Sequence, residues 1–282
     1  MIAIDLDGTL LSPCGEVSER SKAAVRRALD AGLLVCFATG RNWTESKLVL
    51  EAVEHYSTAV FAGGAMIVDT EKQVVLHRMN MEPKLAAEVV EFIESRGLGA
   101  MALQDTSAVG VDYHVSDSFE PDPVTEVWMA VMSTAMHRVG NLAAHSHEHT
   151  VRVSTVGPRE TVSRIHAELS AAFGERVMCH RIEIPRAQLD VLEVFDPAVN
   201  KWQGILLAAE RHGVLPEQII AIGDDVNDLA MIKNAGLGVA MGNAKPEVQD
   251  IADLVVGTNA DDGLAKFLDD LIDRGQIAPP PI

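Results

Sequence analysis

The sequence predicts an α/β fold: a Rossmann-like doubly wound parallel sheet interrupted by an inserted α+β domain. Three observations predict it. Short apolar runs alternate with stretches of helical spacing at both ends of the chain, the rhythm of βαβ units. Two of those runs, at 2–4 and 219–222, stop abruptly at clustered acids, as buried strands do where they reach the ligand-binding edge of an open sheet. Between them, over residues 81–186, the rhythm breaks.

The chain opens on Ile2, Ala3 and Ile4, and Asp5 and Asp7 leave that strand before Gly8 turns the backbone. Two carboxylates this close cannot both sit half-buried without a cation or a proton to join them. The reading is a Mg²⁺ ion with Asp5 as a covalent nucleophile. Ser18 is placed to cap a helix over 19–31, where Ala24, Val25, Ala28 and Leu29 recur at helical spacing until Gly32. A second buried strand, 33–38, runs into Thr39-Gly40-Arg41-Asn42. A right-handed strand-helix-strand unit brings Thr39 to the edge that holds Asp5 and Asp7. A helix over 43–55, a strand at 59–62, Gly63-Gly64 and a strand at 65–68 follow.

The inserted region reads as a helix over 83–96, β segments at 108–115, 128–132 and 150–156, and a helix near 160–173. Pro121 and Pro123 punctuate a loop, and Pro185 closes the region. No turn in it carries the acidic or Thr-Gly chemistry of its flanks, so 1–80 and 187–282 are read as the core and 81–186 as the insertion. His145, His147 and His149 alternate in Ala-His-Ser-His-Glu-His-Thr and read as a surface loop, because no partner in the sequence supports a metal site. Trp43, Trp128 and Trp202 read as core. The core rhythm returns with a strand at 189–194, a helix at 200–213, a strand at 219–222, a helix at 228–235, a strand at 237–240, a helix at 248–252 and a strand at 254–256. The tail beyond Gly275, with Pro279, Pro280 and Pro281, reads as frayed.

The second acidic cluster is Gly223-Asp224-Asp225-Val226-Asn227-Asp228. Parallel strands feeding one edge bring Asp224 and Asp228 toward Asp5 and Asp7, and four carboxylates in one cleft require a divalent cation. Hard oxygen ligands favour Mg²⁺ over zinc.

Asp-Leu-Asp-Gly-Thr-Leu, Ala-Thr-Gly-Arg, Lys201 ahead of an apolar helix, and Gly-Asp-Asp-Val-Asn-Asp resemble, in order, the four motifs of the haloacid dehalogenase-like phosphatases. The segment from Ala235 to Ala244 is similar to that of the Cof-type subfamily, whose cap is inserted between the second and third motifs. The resemblance implies a phosphomonoester hydrolase with Asp5 as nucleophile and Asp7 as general acid/base. It also implies Mg²⁺ held by Asp5, Asp224 and the backbone carbonyl of Asp7. Thr39, Gly40, Lys201 and Asn227 match phosphate-holding or substrate positions, and Asp228 one that orients Lys201 or a water on the metal. The cap is expected to close over the cleft and carry specificity, and the substrates to be small sugar or polyol phosphates. Two departures stand out: Lys201 is followed by Trp202-Gln203-Gly204 where the family has Gly directly, and Ala62-Gly63-Gly64 replaces a frequent Asn-Gly.

Composition narrows the alternatives. The formal charge of -18, from 41 acidic and 23 basic residues, opposes binding to nucleic acid or anionic membranes. Three scattered cysteines, Cys14, Cys36 and Cys179, read as free thiols of a reducing compartment. With the first strand at the start of the chain and no run near the roughly 18 apolar residues of a membrane span, a cytoplasmic protein is expected, monomeric or a small homo-oligomer. The competing readings are a phosphomutase or phosphotransferase on the same core, and a non-enzymatic phospho-receiver or Mg²⁺/phosphate-binding module.

Overall fold

Strand β1 (Ile2–Ile4) carries three side chains that never meet water. In the computed structural model, which describes residues 1–184 and 188–275, it lies at the centre of a parallel sheet. Pro185, and the tail with Pro279, Pro280 and Pro281, lie outside the described residues. From β1 the chain passes through α1 (Glu19–Asp30), β2 (Val35–Phe37), α2 (Trp43–Ala52), β3 (Thr58–Phe61), β4 (Met66–Asp69) and β5 (Val74–Arg78). Ser18 accepts the Ser21 N-H at the start of α1, and Asn42 and Glu45 exchange side-chain bonds at the start of α2, so both helices begin where capping side chains satisfy their free N-H groups.

A second unit, Arg78–Val199, follows. It contains α3 (Pro83–Glu94), β6 (Met101–Gln104), α4 (Thr106–Val109), β7 (Tyr113–Val115), α5 (Pro123–Met132), β8 (Met136–Arg138), β9 (Thr150–Pro158), α6 (Arg159–Phe173), β10 (Met178–Ile184) and β11 (Leu189–Phe195). Its six strands form one sheet in the order β10-β11-β9-β6-β7-β8. Leu85, Val89 and Ile93 of α3 and Val162, Ile165 and Leu169 of α6 close over Ala102, Val153, Leu192 and Val194 of that sheet. Each such Leu, Ile or Val side chain contributes about 1.5–3 kcal/mol by leaving water, which makes this a core in its own right.

The chain then returns to the first unit through α7 (Lys201–Glu210), β12 (Ile220–Gly223), α8 (Leu229–Asn234), β13 (Leu237–Ala240), α9 (Pro246–Gln249), β14 (Leu254–Val255) and α10 (Gly263–Asp273). The parallel strands run β14-β13-β12-β1-β2, and a parallel bridge from Ala38 to Val60 continues the row to β3, which pairs antiparallel with β4. Strand order reverses between β1 and β12. That is the point at which open α/β sheets leave a crevice beyond their strand ends.

Three expectations are corrected. The core was expected to resume at 187, but β11 pairs antiparallel with β9 and β10 and belongs to the inserted sheet; the return falls at Asn200. Its apolar-polar alternation looks the same whichever way its neighbours run. Residues 128–132, read as a β segment from Val and Trp, lie in helix α5. There Asp122 accepts the N-H groups of Val124 and Thr125, and Pro123 sits at the first position, so a cap and a prearranged φ outweigh β-propensity. Residues 108–115 begin as the short helix α4, which Asp105 caps, before β7 forms.

Asp122→Ala should cost about 1 kcal/mol of stability in a urea titration, the usual worth of a lost N-cap. An unchanged midpoint would mean that α5 does not depend on that cap.

Candidate active site

The Asp5 N-H donates to the Ile222 carbonyl at 3.0 Å, extending the β1-β12 ladder to where both strands end. Asp5 and Asp224 are therefore neighbours by register, from opposite ends of the chain. A wide turn follows Asp5, closed by Leu10 N-H to Asp5 O and Leu11 N-H to Leu6 O. Within it Gly8 holds φ +79°, and a Cβ there would lie 2.0 Å from Asp224 Oδ2. Only glycine lets the turn and that carboxylate approach. Gly223 serves Asp228 in the same way, since its Cβ would fall 2.5 Å from Asp228 Cγ.

Lys201, the first residue of α7, is 1% exposed. Its Nζ donates to Asp5 Oδ1 at 2.6 Å and to Asp228 Oδ1 at 2.7 Å. Asp228 Oδ2 accepts the N-H groups of Asp224 and Asp225 at 3.0 and 3.1 Å, so both its oxygens are engaged. Burial alone would push the Lys201 ammonium toward neutrality, but Asp228 and Asp5 outweigh it and hold the proton more firmly than usual. Burial drives Asp5 well above the ordinary carboxylate range; Lys201 opposes this, and Asp228, Asp224 and Asp7 add to it. Burial, then Asp228 and Asp225, push Asp224 up to about 7.

Three carboxylates against one ammonium leave an excess of negative charge. Oxygens of Asp5, Asp224 and Asp228 lie within 4.8 Å of one another, and Asp224 Oδ1 is buried with no hydrogen-bond partner. Because Asp228 spends both oxygens on Lys201 and the backbone, Asp5 and Asp224 keep lone pairs to offer. An all-oxygen set of this charge fits a hard divalent cation such as Mg²⁺.

The remaining candidates surround this cluster at different depths. Thr39 is fully buried, its Oγ1 accepting the Arg41 N-H at 3.1 Å, and Gly40 is half-buried in the same turn. Asn227 Oδ1 is buried and has no hydrogen-bond partner. The Asp7 side chain stands apart from the three clustered acids: it is 57% exposed and gripped by Arg41 through Nε at 2.8 Å and Nη2 at 2.6 Å. Sequence reasoning assigned no role to Asn243, whose Nδ2 donates to Gly8 O at 2.9 Å and Asp224 Oδ2 at 3.3 Å, or to Lys245, whose Nζ meets Asp225 at 2.5 Å. Their signal was positional: both follow β13, which ends on the same sheet edge.

Buried acids and one buried lysine at the edge of an open parallel sheet suit an enzyme of the α/β class that handles phosphate esters with a divalent cation. The family model for haloacid dehalogenase-like hydrolases matches residues 2–268, and the chain belongs to that family. The 5-amino-6-(5-phospho-D-ribitylamino)uracil phosphatase YitU of Bacillus subtilis (strain 168) is 30% identical over 272 residues, 95% of this chain and 96% of that protein. Pyridoxal phosphate phosphatase YbhA of Escherichia coli (strain K12) is 26% identical over 272 residues, 95% of this chain and 97% of that one. The crystal structure of a haloacid dehalogenase-like hydrolase from Bacteroides thetaiotaomicron superposes with a TM-score of 0.80 at 25% identity, covering 96% of this chain and 98% of that chain.

The Asp224 shift gives a pH test. Its folded value lies above its unfolded one, so without metal the folded state holds a proton that the unfolded chain releases. That contribution is full at low pH and is lost as pH rises through about 7. Mg²⁺ must displace the same proton. Added Mg²⁺ should therefore raise Tm more at about pH 8 than at about pH 5, and Asp224→Asn should flatten the difference. A Mg²⁺ increment that does not vary with pH in the wild type would contradict this charge balance.

Proposed function

We propose that this protein is a Mg²⁺-dependent phosphomonoester hydrolase of small phosphorylated metabolites, working through an aspartyl-phosphate on Asp5. The observation that carries the reading is the meeting of Asp5, Asp224 and Asp228 around the buried ammonium of Lys201. Asp5 is the nucleophile: its carboxylate attacks phosphorus while the ester oxygen leaves, and water then releases phosphate. Asp7 is the general acid and base, protonating the leaving oxygen and then taking a proton from water. To reach the ester its carboxyl must leave Arg41, and it is the exposed member of that pair.

Lys201, bonded to one Asp5 oxygen, fixes the direction of the other and presents positive charge to the phosphoryl group. Thr39 and Gly40 offer a hydroxyl and a backbone N-H to the phosphoryl oxygens, and Asn227 a side-chain amide. Asp228 orients Lys201 and the loop that carries Asp224. Asp5, Asp224 and the Asp7 carbonyl are the proposed Mg²⁺ ligands. The ion, when bound, offsets repulsion between the anionic nucleophile and an anionic substrate.

The relatives are named for a phosphate on a ribityl chain and for pyridoxal phosphate. A polyol or sugar phosphate is the substrate class proposed here, with selection among such esters assigned to the inserted unit.

Purified protein should release phosphate from a generic aryl phosphate with Mg²⁺ and lose that activity in EDTA. Asp5→Asn should abolish turnover, and Asp7→Asn should lower kcat by about 10²–10⁴-fold, the range for a lost general acid/base. Retained hydrolysis in Asp5→Asn would overturn the assignment. Transfer to an added polyol without phosphate release would identify a phosphotransferase.

A further inference from the structure

A cluster of imidazoles in the inserted unit lies outside the proposed chemistry. Strands β7 and β8 run parallel with His114 paired to His137, and their ring centroids are 5.7 Å apart. The loop ahead of β9 brings the His145 ring to 4.8 Å from His114, edge to face at 83°. His114 is 7% exposed, and its Nδ1 has no hydrogen-bond partner. His137 and His145 are exposed. We propose that His114, His137 and His145 form a site for one transition-metal cation of the imidazole-preferring class, typified by Zn²⁺, at the edge of this sheet.

The spacing suits that assignment. With metal-nitrogen bonds of about 2.0–2.1 Å, imidazoles sharing one ion at angles from square to somewhat wider than tetrahedral place their centroids about 4.5–6 Å apart. Both centroid distances fall inside that interval. The three sets of ring nitrogens are not gathered within 4.8 Å of one another as the oxygens of Asp5, Asp224 and Asp228 are. Gathering them requires the two solvent-exposed rings to turn while His114 stays fixed in its buried place on β7.

The protonation state is also right for ligation. Burial, then the neighbouring His145, His137 and His147, push His114 down to about 4, so it is neutral at physiological pH. Three protonated imidazoles would repel one another, whereas one shared cation joins three neutral ones. His147 is a different case. Both its ring nitrogens are engaged, by Thr150 Oγ1 at 2.9 Å and the Leu142 carbonyl at 3.0 Å. It fixes the loop that carries His145, and this explains why the alternation of His145, His147 and His149 does not itself define the ligand set. A bound ion would tie that loop to β7 and β8.

Isothermal titration of untagged protein with Zn²⁺, in saturating Mg²⁺ to keep the acidic cluster occupied, tests this. The wild type should bind one Zn²⁺ per chain at a site that weakens at least ten-fold in the His137→Ala/His145→Ala double variant and in His114→Gln. Zn²⁺ should also raise the wild-type Tm, reversibly with a chelator, and not that of the double variant. Both altered rings of the double variant are on the surface, so a native far-UV spectrum and unchanged Mg²⁺-dependent phosphate release should show it to be folded. No Zn²⁺ bound by the wild type, or equal stoichiometry and affinity in the folded double variant, would overturn the proposal.

Discussion

The site depends on one ammonium group. Lys201 is buried between Asp5 and Asp228, and those three residues come from the front, the last third and near the back of the chain. Two carboxylates at this depth are tolerable because that charge lies between them; removing one member of a buried ionic cluster typically costs about 3–5 kcal/mol through the charges left behind. Such a cluster is weak evidence for stability, since well-packed apolar residues often do as well. Its value is directional. With one Asp5 oxygen pinned by Lys201, and Asp228 pinned by Lys201 and two backbone N-H groups, the cleft presents a carboxylate of fixed aim.

Charge explains the rest of the arrangement. A chain of net charge -18 repels phosphate esters at long range, so attraction has to be supplied within the cleft. Lys201 supplies one positive charge and is outnumbered by the acids around it. Burial first, and then the same imbalance, displaces Asp5 and Asp224 upward, and a divalent cation beside them would offset it. Arg41 and Lys245 are further cations at this edge, and Asp7 and Asp225 occupy them.

The core was legible because its signals are local and repeated. Ile2–Ile4 and Ile220–Gly223 are short, wholly apolar and followed directly by acids, so strand and site announce each other. Ser18 and Asn42 mark helix starts in the same way. The register that sets Asp5 beside Gly223 was not legible from either segment alone, because pairing is a property of two distant runs. The inserted unit was misread where composition and capping disagree: Trp and Val in 128–132 suggest a strand, while Asp122 and Pro123 start a helix that runs through them. β11 was assigned to the wrong sheet because alternation does not reveal a strand's partners. Asn243 and the His114 cluster escaped for a third reason: their significance lies in what they touch across long sequence separations.

The most direct measurement of the central claim is acid-quenched mass spectrometry of the enzyme during turnover of a small phosphate ester with Mg²⁺. The account predicts a phosphoryl group on the peptide that carries Asp5, formed only with the metal present and absent from Asp5→Asn. Turnover with that peptide unmodified at every quench time, or a phosphoryl group trapped on another residue, would contradict it.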